Sequence, residues 1–358
     1  MNVHIEPLSE NELKPKYTDE SILGFGQIFC DRMFIMEYTP DEGWHNARIK
    51  KYEPLCLDPS TMVFHYGQEI FEGLKAYPGA GGNINLFRPE RNFQRLNVSA
   101  RRMCMPEVDE EFNLKVLKQL LALEKDWMPE GDESSMYIRP TMIGVDPELG
   151  VKSSKKFLYF IILSPSGPYF KEGYKPVKVY VSTEHVRAVR GGVGESKTGG
   201  NYGASLLAGK LAREKGCAQV IWLDAIERKY IEEIGAMNLM FVINGKIITP
   251  ELSGSILRGI TRESVIILAK DLGYEVVERK LSIDELVEAM DKGQLSEAFG
   301  VGTAAVVSPI GEIVYKDRSY IVNDRQVGDI SKTLFKKLTD LQRGRIEDKF
   351  GMIQIVNV

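Results

Sequence analysis

Residues 191–203 read GGVGESKTGGNYG, with glycine at six of thirteen positions and a single lysine, Lys197, in the middle. That is not helix or strand composition. Glycine adopts positive φ and lets the backbone approach a ligand closely, so such a loop can hold one side chain against a flat or phosphorylated molecule. Small neighbours in place of a solvated charged face would keep the Lys197 amine partly out of water, and desolvation favours the neutral, nucleophilic form. The chemistry on offer is that of an activated amine. Composition alone equally describes a mobile surface loop with an ordinary lysine, so other groups have to decide between the two.

Further segments offer partners. Residues 253–261, SGSILRGIT, run directly into a predicted helix, whose leading backbone N–H groups and dipole form an anion site suited to a phosphate. Residues 299–305, FGVGTAA, place the Thr303 hydroxyl in a small-residue loop ahead of a strand, although a tight turn is the plainer reading. Arg95 sits on the predicted helix at 91–103 among Arg88, Arg91, Arg101 and Arg102, most of which form a solvated face. Glu232 and Glu233 are adjacent acids at the start of an apolar strand, and alternation sends one inward and one outward. An inward carboxylate is costly unless paired, so it serves a backbone group or a cationic ligand atom. Residues 63–77 carry Tyr66, Phe71, Glu72, Lys75 and Tyr77, for which core packing is the default.

Other chemistries lack their parts. The histidines are His4, His45, His65 and His185, none spaced as a zinc pair, so no metal site is expected. G-x-S-x-G, G-x-G-x-x-G and Walker A patterns are all absent. Cys30, Cys56, Cys104 and Cys217 are scattered without a C-x-x-C and read as buried free thiols.

The elements that must position these groups alternate in type. Extended segments dominate to about Tyr77, then residues 91–103 and 112–127 show helical spacing, and residues 136–142 and 157–163 read as strands. Pro165, Gly167, Pro168, Gly173 and Pro176 form the densest turn signal in the chain. That cluster divides the chain into an α/β domain at 1–165, a connecting loop at 166–176 and a second domain at 177–358. In the second domain, strands are expected at 177–182, 219–223 and 237–243, with Asn244-Gly245 as a hairpin turn. Helices are expected at 204–215 and 261–272, and after a capping box of Ser282 and Glu285. Hairpins mixed with helices argue for a mixed sheet over a plain doubly wound one.

Composition narrows the class. At about 150 residues per domain, 358 residues suggest roughly two domains. With 43% hydrophobic and 27% charged residues, disorder, collagen and coiled coil drop away. A net charge of -4, from 46 basic and 50 acidic side chains, provides no footprint for nucleic acid. The longest apolar run, residues 157–163, is far short of the roughly 20 residues a membrane helix needs. The N-terminus has neither a basic nor an apolar leader region, so a cytoplasmic chain is expected.

An activated lysine, an inward acid, a phosphate-ready helix start and an arginine are the set that pyridoxal 5'-phosphate requires. The sequence resembles, essentially end to end, the fold-type IV branched-chain aminotransferase family in its longer form. The motifs are FHYGQEIFEGLKAY (64–77), LFRPERNFQRLNVSARRMCMP (86–106), YIRP (137–140), GGVGESKTGGNYG, EIGAMN (233–238) and FGVGTAA. The resemblance implies a smaller N-terminal α/β domain and a larger C-terminal, cofactor-binding domain built on a mixed-sheet pseudo-barrel. It implies that Lys197 bonds the cofactor aldehyde and later moves the substrate proton, and that Glu233 faces the pyridine nitrogen. Tyr202 would hydrogen-bond the ring's phenolic oxygen. Arg95, the amides of Ile260 and Thr261, and the Thr303 hydroxyl would hold the phosphate, with Leu257 beside the cofactor. Phe25, Tyr66, Phe71, Tyr137, Arg139, Tyr169, Ala236 and Ala304 would surround the substrate.

The implied reaction moves the amino group of leucine, isoleucine or valine to 2-oxoglutarate in two half-reactions, with ping-pong kinetics and a homodimeric enzyme. An aromatic pocket suits branched side chains, at about 0.8 kcal/mol per buried CH2, and Arg139 could instead serve glutamate. D-amino-acid aminotransferases and aminodeoxychorismate lyases keep the lysine and glutamate, but FEGLKAY and the long N-terminal arm weigh against both. A non-catalytic binder of a phosphate ligand is the remaining class. Some long-form relatives carry a C-x-x-C pair after the G-T-A segment. Residues 304–308, AAVVS, have none, so no thiol switch is expected there.

Overall fold

A computed structural model describes residues 1–167, 174–316 and 318–358. The chain forms two compact units. One comprises Met1–Tyr169, Ser196–Gly199 and Leu341–Val358, and the other Phe170–Glu195 and Gly200–Asp340.

In the first unit one sheet runs in the order His4–Ile5, Gly43–Lys51, Arg32–Thr39, Phe157–Ser166, Ser135–Gly144, Leu74–Pro78, Ile84–Phe87, Ile353–Val356, with Glu69–Phe71 also on Ser135–Gly144. Ser135–Gly144 and Phe157–Ser166 pair antiparallel along their whole length. Alternation turns Met136, Ile138 and Met142 to the same core as Tyr159, Ile161 and Leu163. The helices Pro89–Arg102 and Glu110–Leu123 add Phe93, Leu96, Ala100, Val116, Leu117 and Leu120 to it. Asp109 caps the second helix through the Phe112 amide at 2.8 Å. That helix stops at Leu123, short of the expected 127. Residues Lys125–Trp127 instead tighten into a 3-10 turn that seats the Trp127 indole on Asp31 at 2.8 Å. The C-terminal strand Ile353–Val356 pairs antiparallel with Ile84–Phe87, so the tail belongs to this unit, whereas the sequence reading ran the second domain to residue 358. No local signal announces a pairing between such distant segments.

In the second unit six strands follow one another as Ile231–Ile234, Gln219–Leu223, Val177–Val181, Val306–Tyr315, Leu295–Gly302 and Met237–Ile243. Met237–Ile243 pairs back onto Ile231–Ile234. The ring is closed, which removes exposed edges and gives the expected barrel. Val177–Val181 runs parallel to both its neighbours, and the other ring pairings are antiparallel. Val179, Val181, Ile221, Leu239, Phe241 and Ile313 pack together in the core. Asn244 and Gly245 both take positive φ, 50° and 76°, between the paired Ile243 and Lys246. Only half of the expected capping box forms. Ser282 accepts the Glu285 amide at 3.1 Å, but the Glu285 carboxylate pairs with Arg279. Among the described residues, no helix is long and apolar enough to cross a membrane.

Candidate active site

In the first unit the helix Pro89–Arg102 presents Asn92, Arg95 and Ser99 on one side by their three- and four-residue spacing. Asn92 and Arg95 converge on Glu72, whose side chain is fully buried. Arg95 grips it with Nε at 2.7 Å and Nη2 at 2.8 Å, and Asn92 Nδ2 donates at 2.8 Å. Burial alone would raise this carboxyl, but Arg95, then Lys197 and Asn92, hold it below the ordinary carboxylate range. Lys197 is fixed through its own backbone. Its N–H donates to Ser99 Oγ at 2.9 Å, and its carbonyl accepts the Phe71 amide at 3.0 Å. The amine then lies 4.9 Å from the Phe71 ring centroid.

Around Phe71 stand the residues expected to meet the substrate. Phe25 and Tyr137 meet edge to face at 4.8 Å. The Arg139 guanidinium lies 4.6 Å from the Phe71 ring and 5.3 Å from the Tyr137 ring, and donates to the Tyr137 hydroxyl at 3.0 Å. Its Nε is buried without a hydrogen-bond partner, a donor aimed at an acceptor the protein itself does not supply. Glycine at 73 leaves room for Tyr137, since a Cβ there would stand 2.1 Å from the Tyr137 hydroxyl. Tyr66 stands apart, 39% exposed, with its hydroxyl on the Leu149 carbonyl. Tyr169 lies outside the described residues.

In the second unit Glu233 ion-pairs with Arg187 at 2.6 Å and accepts the Leu257 amide and Asn238 Nδ2, each at 3.1 Å. Glu232 is buried as well, contrary to the expected alternation, because its strand is covered on both faces. It accepts hydroxyls from Ser253 and Ser255. Burial raises its carboxyl, against the pull of Ser255 and Arg187. The helix Ile260–Asp271 starts at Gly259 with no side-chain cap, leaving the first-turn residues Ile260 and Thr261 to present their amides.

The glycine-rich segment is a loop only to Thr198, since Gly199–Glu214 is helical and carries Tyr202. Gly200 and Gly203 face open space, so nothing there demands an extended path. Residues 299–302 likewise lie in the strand Leu295–Gly302 rather than in a loop. Thr303 and Ala304 occupy the turn that Gly302 and Val306 close by pairing. Val306 takes φ 62°, a strained conformation for a β-branched residue. Ala236 is exposed at the turn after Gly235, whose φ is 54°.

Lys197, Arg139, Phe71, Tyr137 and Phe25 are thus brought together in one unit, and Glu233 and Leu257 in the other. Sequence reasoning missed Ser99 and Arg187 and assigned Glu72 to packing. The 92, 95, 99 spacing could have singled out Ser99, whereas nothing local marks Arg187. Cys30 and Cys217 are buried as expected, but Cys56 and Cys104 are exposed, and all four are free. Among the described residues, no group of histidine, cysteine or acidic side chains could hold a metal ion.

The amino-transferase class IV family matches residues 69–313. Branched-chain-amino-acid aminotransferase 2 of Bacillus subtilis (strain 168) is 52% identical over 349 residues, 98% of this chain and 95% of that protein. Among solved structures, the Escherichia coli branched-chain amino acid aminotransferase superposes with a TM-score of 0.76 at 28% identity, covering 91% of this chain and 99% of that one. A T.th. branched-chain amino acid aminotransferase complexed with N-(5'-phosphopyridoxyl)-L-glutamate has a TM-score of 0.73 at 26% identity, covering 90% and 98%. With the family match spanning most of its length, the chain belongs to the class IV amino-transferases.

Proposed function

We propose that this chain is a pyridoxal-phosphate-dependent branched-chain L-amino-acid aminotransferase that exchanges amino groups between leucine, isoleucine or valine and 2-oxoglutarate. The observation that carries the reading is Lys197, held at both backbone groups, with its amine over an aromatic wall that also bears Arg139. Apolar rings accept a branched side chain, and the unpartnered Arg139 Nε is a donor for a carboxylate. The same pocket then suits both amino donors.

The residues fit the cofactor. The uncapped start of Ile260–Asp271 suits a phosphate, and Glu233, paired with Arg187, suits a ring N–H. When bound, pyridoxal phosphate supplies an aldehyde that condenses with amines and a ring that withdraws electrons from the substrate Cα. Lys197 Nζ takes the proton from that Cα and returns it on the other side of the exchange. Glu233 would accept the ring N–H, and Tyr202 would donate to the ring oxygen. Arg95, the amides of Ile260 and Thr261 and the Thr303 hydroxyl would hold the phosphate, while Leu257 steadies Glu233 through its amide. Arg95 enters this role already oriented by Glu72. Phe25, Phe71 and Tyr137 would flank the substrate, with Arg139 placed for the side-chain carboxylate of glutamate. Two chemically separate half-reactions give ping-pong kinetics. A cytoplasmic homodimer completes the reading by likeness to the family, and a fully active monomer in sedimentation would count against it.

Lys197→Ala tests the assignment. The variant should keep its circular dichroism and lose leucine-dependent glutamate formation by at least about 10⁴-fold. Retained turnover would overturn the role of Lys197.

A further inference from the structure

A single guanidinium in an aromatic pocket poses a problem of charge. It suits a dicarboxylate, but an apolar side chain would strand it without a counter-ion, which is costly when water is excluded. The strand Glu69–Phe71 supplies an answer. Glu69 and Phe71 are two residues apart and therefore share the face that bears the Arg139 and Lys197 contacts. Glu69 is half-buried and takes the Gly199 amide, two residues beyond Lys197. The approach is so close that a Cβ at position 199 would lie 1.6 Å from Glu69 Oε1 and would push that carboxylate away. Burial pushes this carboxyl above its ordinary range, opposed by the charge of Arg139 and by the Gly199 amide, so Arg139 is the cation that acts on it.

We propose that Glu69 is a specificity-determining residue, whose carboxylate, anchored on the Gly199 amide, offsets the charge of Arg139 so that the pocket takes apolar side chains as well as dicarboxylates. The inference rests on the aminotransferase reading above and concerns the balance between the two substrate classes. It requires that Arg139 be partly neutralised when leucine is bound and available when glutamate is bound. Glu69 need not touch the substrate for this, since it acts through Arg139.

Calorimetric binding of two unreactive acids, glutarate and 4-methylpentanoate, to the cofactor-loaded full chain separates the possibilities. Glu69→Gln keeps an oxygen for the Gly199 amide and removes only the charge. It should raise the preference for glutarate over 4-methylpentanoate about tenfold. KM for 2-oxoglutarate should fall and KM for leucine should rise, with kcat for either changed less than twofold. Glu69→Ser, which removes the charge by truncation, should shift the preference in the same direction. An unchanged preference in both variants, or equal weakening of both acids, would overturn the proposal. A wild-type protein that fails to convert leucine would overturn the underlying reading instead, so the two failures are distinguishable.

Discussion

Glu72→Gln is the perturbation whose size the structure constrains best. The wild-type carboxylate, fully buried, accepts two bonds from Arg95, one from Asn92 and the Gly73 amide at 3.1 Å. In the glutamine variant one of those oxygens becomes an NH2, which must face a donor on Arg95 or Asn92. At least one charge-assisted bond is lost, worth about 1.5–3 kcal/mol, and Arg95, whose side chain is only 10% exposed, loses the Glu72 carboxylate as a counter-ion. The sum is about 3 kcal/mol, at the lower end of the cost of breaking a buried pair. Urea unfolding followed by tryptophan fluorescence reads it, since Trp44 and Trp127 lie in the first unit. Combining the change with Arg95→Met should cost about 2 kcal/mol less than the two single losses added together. Because the folded carboxyl lies below its ordinary range, its stabilisation is complete above the unfolded-state pKa and fades as pH falls through the folded one. The gap between wild type and variant should hold from pH 8 to 6 and narrow below about pH 4. A loss under about 1 kcal/mol with full additivity would refute the view that Glu72 and Arg95 act as one unit.

Two further changes test other parts of the site. Gly259→Ala would set a Cβ 1.9 Å from Asn238 Oδ1, displacing the amide that bonds Glu233 and the Leu257 carbonyl. A stability loss of about 2–3 kcal/mol with weaker cofactor retention is expected, and wild-type retention would contradict it. Lys75 is buried beside the charge of Arg343, and burial first and Arg343 second push its amine down to about 8. Since its unfolded pKa is higher, the charged amine destabilises the fold in full below pH 8, and the penalty fades as pH rises towards about 10.4. Lys75→Met should therefore stabilise the protein by about 2 kcal/mol at pH 7, with the gain shrinking above pH 8, and a gain independent of pH would contradict this origin.

Much of this arrangement can be read from local pattern. The barrel strands at 219–223 and 237–243 have the expected bounds, because uninterrupted apolar runs flanked by turns leave little choice. The Asn244-Gly245 turn needs no tertiary help. Where expectation and structure part, the deciding contacts are distant in sequence. Ile353–Val356 returns to Ile84–Phe87, and Trp127 leaves its helix for Asp31. Glu232 and Glu233 are both buried because a closed barrel has segments packed on both sides of the strand, which alternation cannot reveal. In the site, Lys197 stood out through its glycines and Glu233 through its apolar setting. Ser99, Glu72 and Arg187 act only through partners brought together by folding, and their residue types alone read as ordinary surface or core.

The central claim is a proton-moving lysine beside a bound aldehyde cofactor in a pocket for branched-chain L-amino acids, and one absorbance experiment addresses it. The protein loaded with pyridoxal phosphate is mixed with L-leucine in the absence of any 2-oxo acid, and its visible band is followed. The band should disappear with release of 4-methyl-2-oxopentanoate and return when 2-oxoglutarate is added. A band that ignores L-leucine but responds to a D-amino acid would contradict the substrate assignment, and a protein that takes up no cofactor would contradict the mechanism altogether.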